Sequence, residues 1–263
     1  MASLLLLGLL AGPACSKDTG TTSSKSGSSS HNSSATARKP QPVTVLAAAS
    51  LTESFGELKT TVARGSDPLD VTYSFGGSGA LVQQVQQGAP ADVIATADAS
   101  SMKQLQDANL VEAPKTFARN RLEILVAAGN PRGVKTVSDL GRPGLNVVLG
   151  AETVPVGKYA KRVLDQAGVT VTPKSLEPDV RSVVAKVTAG EADASIVYVT
   201  DAKAAGGKAE GVEIPQAQNA TATYPIAVVK AAKHPAAARA FVAEVTGAKG
   251  QTILRQRGFL SAG

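Results

Sequence analysis

From Val43 onward, short apolar runs and amphipathic segments take turns, and this alternation limits the fold more than any other feature. VTVLAA (43–48), DVTYSF (70–75) and DVIATA (92–97) read as strands. Between and after them, TESFGELKTTVA (52–63), GALVQQVQQ (79–87) and SMKQLQDA (101–108) carry apolar residues at helical spacing. The strands are apolar along nearly their whole length, as expected where helices cover both faces of a sheet. Strand–helix–strand repetition predicts a mainly parallel sheet with right-handed crossovers. Ligands of such sheets bind at the carboxyl ends of strands, beside helix N-termini.

RLEILVAAG (121–129) predicts a longer strand, closed by Pro131 and Gly133. A second series follows: strand NVVLG, helix VGKYAKRVLDQAG, a strand near Val171, helix VRSVVAKVTAG and strand ASIVYV. TYPIAVV (223–229) is a second long strand, and PAAARAFVAEVTGAKGQTILRQRG supplies closing helices. The expected architecture is α/β: two Rossmann-like lobes joined by two crossover strands, with a cleft between them. Lobe 1 takes residues 43–123 and 226–263, and lobe 2 takes residues 124–225.

The N-terminal segment reads as an address. In MASLLLLGLLAGPAC the apolar run Leu4–Leu10 is too short to span a bilayer and suits a signal peptide. Gly12 and Ala14 then precede Cys15, which resembles a bacterial lipobox. Residues 1–15 are thus expected to be a lipoprotein signal peptide with Cys15 as the lipidated residue. The alternative is an ordinary signal peptide with an incidental cysteine. Residues 16–42, Ser/Thr-rich and closing on Pro40 and Pro42, cannot bury enough apolar surface to order themselves and read as a flexible tether. His31 is a solvated linker histidine in this reading.

Charge and composition exclude several functions. The net charge is +6, but half of it sits on residues 16–42 (Lys17, Lys25, Arg38 and Lys39 against Asp18). What remains over the folded part is no footprint for nucleic acid. A single cysteine rules out an internal disulfide, and two histidines with it rule out a Cys/His metal cluster. GGSGA around Ser78 has Ala80 where a nucleophile elbow needs its last glycine. A serine hydrolase would also need a base, and His234, before Pro235, reads as a surface residue capping a helix. Gly157-Lys158 is followed by Tyr159, so no phosphate-binding loop forms there. Asp92, Asp98 and Asp193 read as capping or turn residues. Neither catalysis nor a cofactor is expected, although a secreted serine hydrolase using Ser78 stays the rival reading.

Two stretches share one design. VTVLAAASLTESF carries Ser50 and VTYSFGGSGALVQQV carries Ser78, each running strand, small residues, serine, helix. Each puts a hydroxyl and free N–H groups at a helix start, where the donors carry partial positive charge. Together they make an anion site without a formal cation. Gly76, Gly77 and Gly79 are expected to allow unusual dihedrals and close ligand approach. Plain N-capping by both serines is the competing reading.

AAASLTESF, FGGSGAL, GAPADVIATAD, VPVGKYAKRVL, PDVRSVVAKVTAGEADASIVYVTDA and YPIAVV together resemble the molybdate-binding proteins of bacterial ABC importers, of the type II periplasmic binding fold. The match spans roughly residues 43–260. The resemblance implies ligand contacts from the hydroxyls of Ser50, Ser78 and Tyr198 and the backbone N–H groups of Val156 and Val180. It implies a monomeric extracytoplasmic protein on a lipid anchor that captures molybdate, and tungstate too, and delivers it to a membrane permease. No cofactor and no directly bound metal ion are implied. All five contacts are donors. A fully deprotonated oxyanion offers only acceptors, whereas a protonated phosphate would leave its own O–H unpaired, at about 1–3 kcal/mol. Sulfate or another tetrahedral oxyanion stays the rival ligand.

Overall fold

A computed structural model describes residues 39–263. The signal-peptide reading, Cys15, His31 and most of the tether lie outside the described residues. The first strand, β1 (Gln41–Ala48), begins inside the stretch assigned to the tether, with Gln41 and Pro42 already paired to Leu69 and Asp70. A 3-10 turn (Ala49–Leu51) leads into α1 (Thr52–Val62), which buries Phe55, Leu58 and Val62 at helical spacing. β2 (Leu69–Gly76), α2 (Ser78–Gln86), β3 (Val93–Ala95) and α3 (Ala99–Asp107) follow as the alternation predicts. Asp98 caps α3, accepting the Ser101 N–H at 2.7 Å.

The long strand β4 (Lys115–Ala127) starts six residues before the predicted Arg121. β5 (Val148–Gly150) and α4 (Pro155–Ala167) come next; α4 opens with proline in its first turn and closes on Gly168 in the left-handed region. β6 (Ser175–Glu177) lies four residues beyond the expected strand near Val171. α5 (Val180–Thr188) is capped by Asp179, which accepts the Ser182 N–H at 3.0 Å. β7 (Ala194–Tyr198) runs straight into α6 (Val199–Ala205). β8 (Ala209–Glu213), β9 (Thr221–Val228), α7 (Pro235–Thr246) and α8 (Ala248–Arg257) complete the chain.

The main sheet has the order β2-β1-β3-β9-β4-β7, with β8 also paired to β4, while β5 and β6 form a separate parallel pair. The expectation of a mainly parallel sheet needs correction. β1 is parallel to β2 and β3, but β9 is antiparallel to both β3 and β4, and β7 and β8 are antiparallel to β4. The two long strands cause this, because they run against their neighbours rather than crossing over by helices. β4 pairs with β9 over Lys115–Arg121, then with β7 and β8 from Leu122. Where β8 gives way to β9, Asn219 substitutes for a ladder residue: it accepts the Leu122 N–H at 3.0 Å and donates to the Leu122 carbonyl at 2.9 Å.

Both faces of the central strands are buried. In β1, Val45 and Ala47 join the larger apolar core, with Phe55, Phe117 and Phe241. Leu46 turns the other way, into a smaller core with Leu81, Val85, Met102 and Leu105 beneath α2 and α3. Helices on both faces therefore pin the sheet and fix where β1, β2 and β7 end.

Candidate functional site

The five residues expected to touch ligand come from five separate strand–helix junctions. Ser50 lies in the 3-10 turn after β1, and Ser78 is the first residue of α2. Val156 follows Pro155 in the first turn of α4, and Val180 is the first residue of α5. Tyr198 ends β7. All five are at least nine-tenths buried, and all line one small cavity of about 20 Å³ with Gly76 and Gly77. Helical starts at Ser50, Ser78, Val156 and Val180 thus face a common point, each with N–H groups that no helical carbonyl can take. Among the described residues, no lysine or arginine lines the cavity. Asp179 does line it, but its carboxylate is engaged by the Ser182 N–H. Four partial positive charges and the hydroxyls are what an entering anion would meet.

The hydroxyls differ in their protein partners. Ser78 Oγ accepts the Ala97 N–H at 3.0 Å, so its own proton is free to point into the cavity. Ser50 Oγ lies 3.0 Å from the Tyr224 hydroxyl. The Tyr198 hydroxyl is fully buried and has no hydrogen-bond partner among the described residues. Its ring packs edge-on against Tyr159 and Tyr224. Burial, and then the neighbouring Tyr224, Tyr159, Asp201 and Asp98, push the Tyr198 phenol well above its ordinary value, so it keeps its proton and can only serve as a donor to an anion.

The glycine-rich turn does not use the unusual dihedrals expected of it. Gly76, Gly77 and Gly79 all have ordinary negative φ, and Gly77 is extended at φ −65°, ψ 134°. What they permit is close approach of protein to protein. A Cβ on Gly77 would lie 2.5 Å from the Pro178 carbonyl oxygen and 3.0 Å from Val154 Cγ1. One on Gly79 would lie 3.1 Å from the Thr153 carbonyl oxygen. The turn before α2 thereby nests against the loops that open α4 and α5.

The remaining candidates settle into structural roles. Asp98 caps α3, as expected. Asp193 accepts the Asn146 N–H at 2.8 Å beside Arg132. Asp92 is buried, accepts the N–H groups of Thr44 and His234, and pairs with the His234 ring at 3.2 Å. His234 does stand at the cap position of α7, but its ring goes to Asp92 and is absent from the cavity around Ser78.

A larger, half-open cavity of about 570 Å³ adjoins the small one and shares Ala49 and Ser50 with it. Its cations are taken: Arg181 pairs with Glu53 at 3.1 Å, Arg257 with Glu57 at 2.7 Å, and Lys203 donates to the Gln256 carbonyl. Asp201 lines it with Oδ2 unpartnered, and burial pushes its carboxyl up to about 7.

Comparisons with known proteins bear on the family and the fold. Residues 43–260 match the family model described as bacterial extracellular solute-binding protein. The molybdate-binding protein ModA of Mycobacterium tuberculosis is 42% identical over 218 residues, which are 82% of this chain and 84% of that one. The periplasmic molybdate-binding protein of Azotobacter vinelandii superimposes with a TM-score of 0.74 at 20% identity, covering 83% of this chain and 98% of the other. The sulfate-binding protein SubI of Mycobacterium tuberculosis gives a TM-score of 0.71 at 22% identity, covering 83% and 86%. At such identities the two structures speak for the fold alone.

Proposed function

This chain belongs to the bacterial extracellular solute-binding proteins, and from that premise we propose that it captures molybdate, and tungstate with it, and hands it to an ABC permease. The observation that carries the ligand class is the small cavity where Ser50, Ser78, Val156, Val180 and Tyr198 meet. Above all, it is the buried Tyr198 hydroxyl with no acceptor among the described residues. An unprotonated tetrahedral oxyanion supplies acceptors and nothing else. The absence of a lining cation avoids burying a guanidinium, whose lost hydration would have to be offset. The choice of molybdate over sulfate rests on likeness to the molybdate-binding relatives. The reading of Ser78 as a hydrolase nucleophile gives way to the solute-binding family.

In this reading residues 43–123 and 226–263 form one lobe and residues 124–225 the other, with hinges near Leu122–Val126 and Tyr224–Ala227. Support comes from β4, which exchanges β9 for β7 and β8 at Arg121–Leu122, and from β9, whose pairing passes from β4 to β3 at Ile226. Ser50 and Ser78 then belong to one lobe and Val156, Val180 and Tyr198 to the other. Ligand completes all the contacts only when the lobes are shut, so it favours the closed state. Lipid attachment at Cys15 would hold the protein outside the cytoplasmic membrane, beside its permease. Calorimetry with molybdate, sulfate and hydrogen phosphate tests the ligand. Heat with molybdate and none with phosphate is expected; tight sulfate binding with no molybdate heat would reject the choice.

A further inference from the structure

We propose that Tyr224 is a positioning residue that holds Ser50 as a proton donor toward the bound oxyanion. The inference rests on the binding site proposed above and adds a residue outside it. Tyr224 sits in β9, fully buried, with its ring edge-on to Phe117, Tyr198 and Phe259. It does not line the small cavity. Its hydroxyl reaches the site only through Ser50 Oγ, at 3.0 Å.

That bond has two possible directions. If Ser50 donates to Tyr224, its one proton is spent inside the protein and the cavity meets serine lone pairs, which repel an anion. If Tyr224 donates, a serine lone pair is satisfied by the protein and the serine proton is free for the ligand. A bound dianion selects the second direction. The neighbouring Asn120 side chain eases the Tyr224 proton toward an acceptor, against the larger effect of burial, which keeps the phenol protonated. Asn120 is itself held by its bond to Thr200 Oγ1 at 2.9 Å.

Ser78 shows the same device with no ambiguity of direction. Its protein partner is a backbone N–H, that of Ala97, which can only donate. Two loops therefore present two serines, each with a protein donor available on its inner side. Donation passed along Tyr224–Ser50–oxyanion also polarises the serine O–H and strengthens the last bond. Such a serine suits an anion that carries no proton of its own.

A double-mutant cycle of Tyr224→Phe and Ser50→Ala, read by calorimetry with molybdate, tests the proposal. Tyr224→Phe alone is expected to weaken binding about fivefold, the scale of one lost hydrogen bond. In the Ser50→Ala background the same change should cost less than about twofold, because no hydroxyl is left to orient. Equal losses in both backgrounds would overturn the proposal and leave Tyr224 a packing residue. Undiminished binding by Ser50→Ala alone would instead sink the site assignment, and the inference with it. Should Tyr224→Phe fail to fold, the molybdate-bound wild-type protein gives the answer by NMR. A slowly exchanging proton coupled to the Tyr224 ring carbon Cζ supports the proposal, and a Ser50 proton directed at Tyr224 overturns it.

Discussion

A phenol buried without an acceptor costs a folded protein about 1–3 kcal/mol, and Tyr198 carries that cost at the wall of a cavity. A ligand oxygen would cancel it. Tyr198→Phe and Ser78→Ala are therefore each expected to weaken molybdate binding by about 1–2 kcal/mol, measured by calorimetry. The ligand-free Tyr198→Phe protein should melt no lower than wild type, since it sheds an unpaired hydroxyl. Unchanged affinity in both variants would remove the site assignment. Asp201 yields a prediction of a different kind. Burial raises its carboxyl from an ordinary 3.8 to about 7, against the lowering effects of the Tyr198 backbone and Arg181. A raised folded-state pKa means that its contribution to stability is fully present below 3.8 and is lost as pH rises through about 7. Asp201→Asn should flatten the melting temperature across that window relative to wild type, and an unaltered pH profile would contradict this. Among the proposed ligand residues, Ser50 and Ser78 could be picked out from their shared strand–serine–helix pattern. Val156 and Val180 could not, because an apolar side chain says nothing about its own N–H; only family resemblance located them and Tyr198. Tyr224 escaped notice because its reach to Ser50 depends on β9 running beside β3, which no local pattern encodes.

At the scale of elements, the turn before α2 shows how a motif found for one reason can serve a second one as well. Its glycines were visible as an anion-binding signal, and Gly76 and Gly77 do line the small cavity, but a Cβ on Gly77 or Gly79 would also crowd Pro178, Val154 or Thr153. Gly77→Ala should push the turn off the α5 entrance and weaken molybdate binding by about 1–3 kcal/mol, the usual cost of overpacking. Thermal stability without ligand should change much less. A binding constant equal to wild type would mean that the turn and the Pro178 loop need not meet. Helices with strong apolar periodicity and capping residues, such as α3 and α5, could be read closely from the sequence. β8 and α6 could not. AEGVE is mixed and mostly exposed, with Gly211 inside it, and α6 follows β7 with no intervening turn. β6 is three residues long and only part-buried, so the apolar Val169 and Val171 upstream drew the strand to the wrong place. The antiparallel pairs were hidden for a further reason: strand order is set by contacts far apart in sequence.

Over the whole molecule, the proposed lobes also meet through specific polar contacts beyond the cavity. Arg181 of α5 meets Glu53 of α1, and Lys158 of α4 donates to Ser100 and lies 3.7 Å from the Asp98 carboxylate of α3. Such exposed pairs are worth about 0.2–1 kcal/mol each. Replacing Glu53 by Gln and Lys158 by Met together should speed molybdate release several-fold at low salt and little at high salt, by stopped-flow measurement. Equal release rates at low salt would separate these pairs from closure. The long strand β4 could be anticipated from its apolar run, whereas the division into two lobes stays a proposal. The central claim is that a metal-oxide dianion sits where Ser50, Ser78, Val156, Val180 and Tyr198 converge. A crystal of the complex with tungstate, located by its anomalous scattering, tests it most directly. The account predicts one strong peak in the small cavity, within hydrogen-bonding reach of the three hydroxyls and two backbone N–H groups. A peak in the larger cavity, held by Arg181 or Arg257, would contradict it.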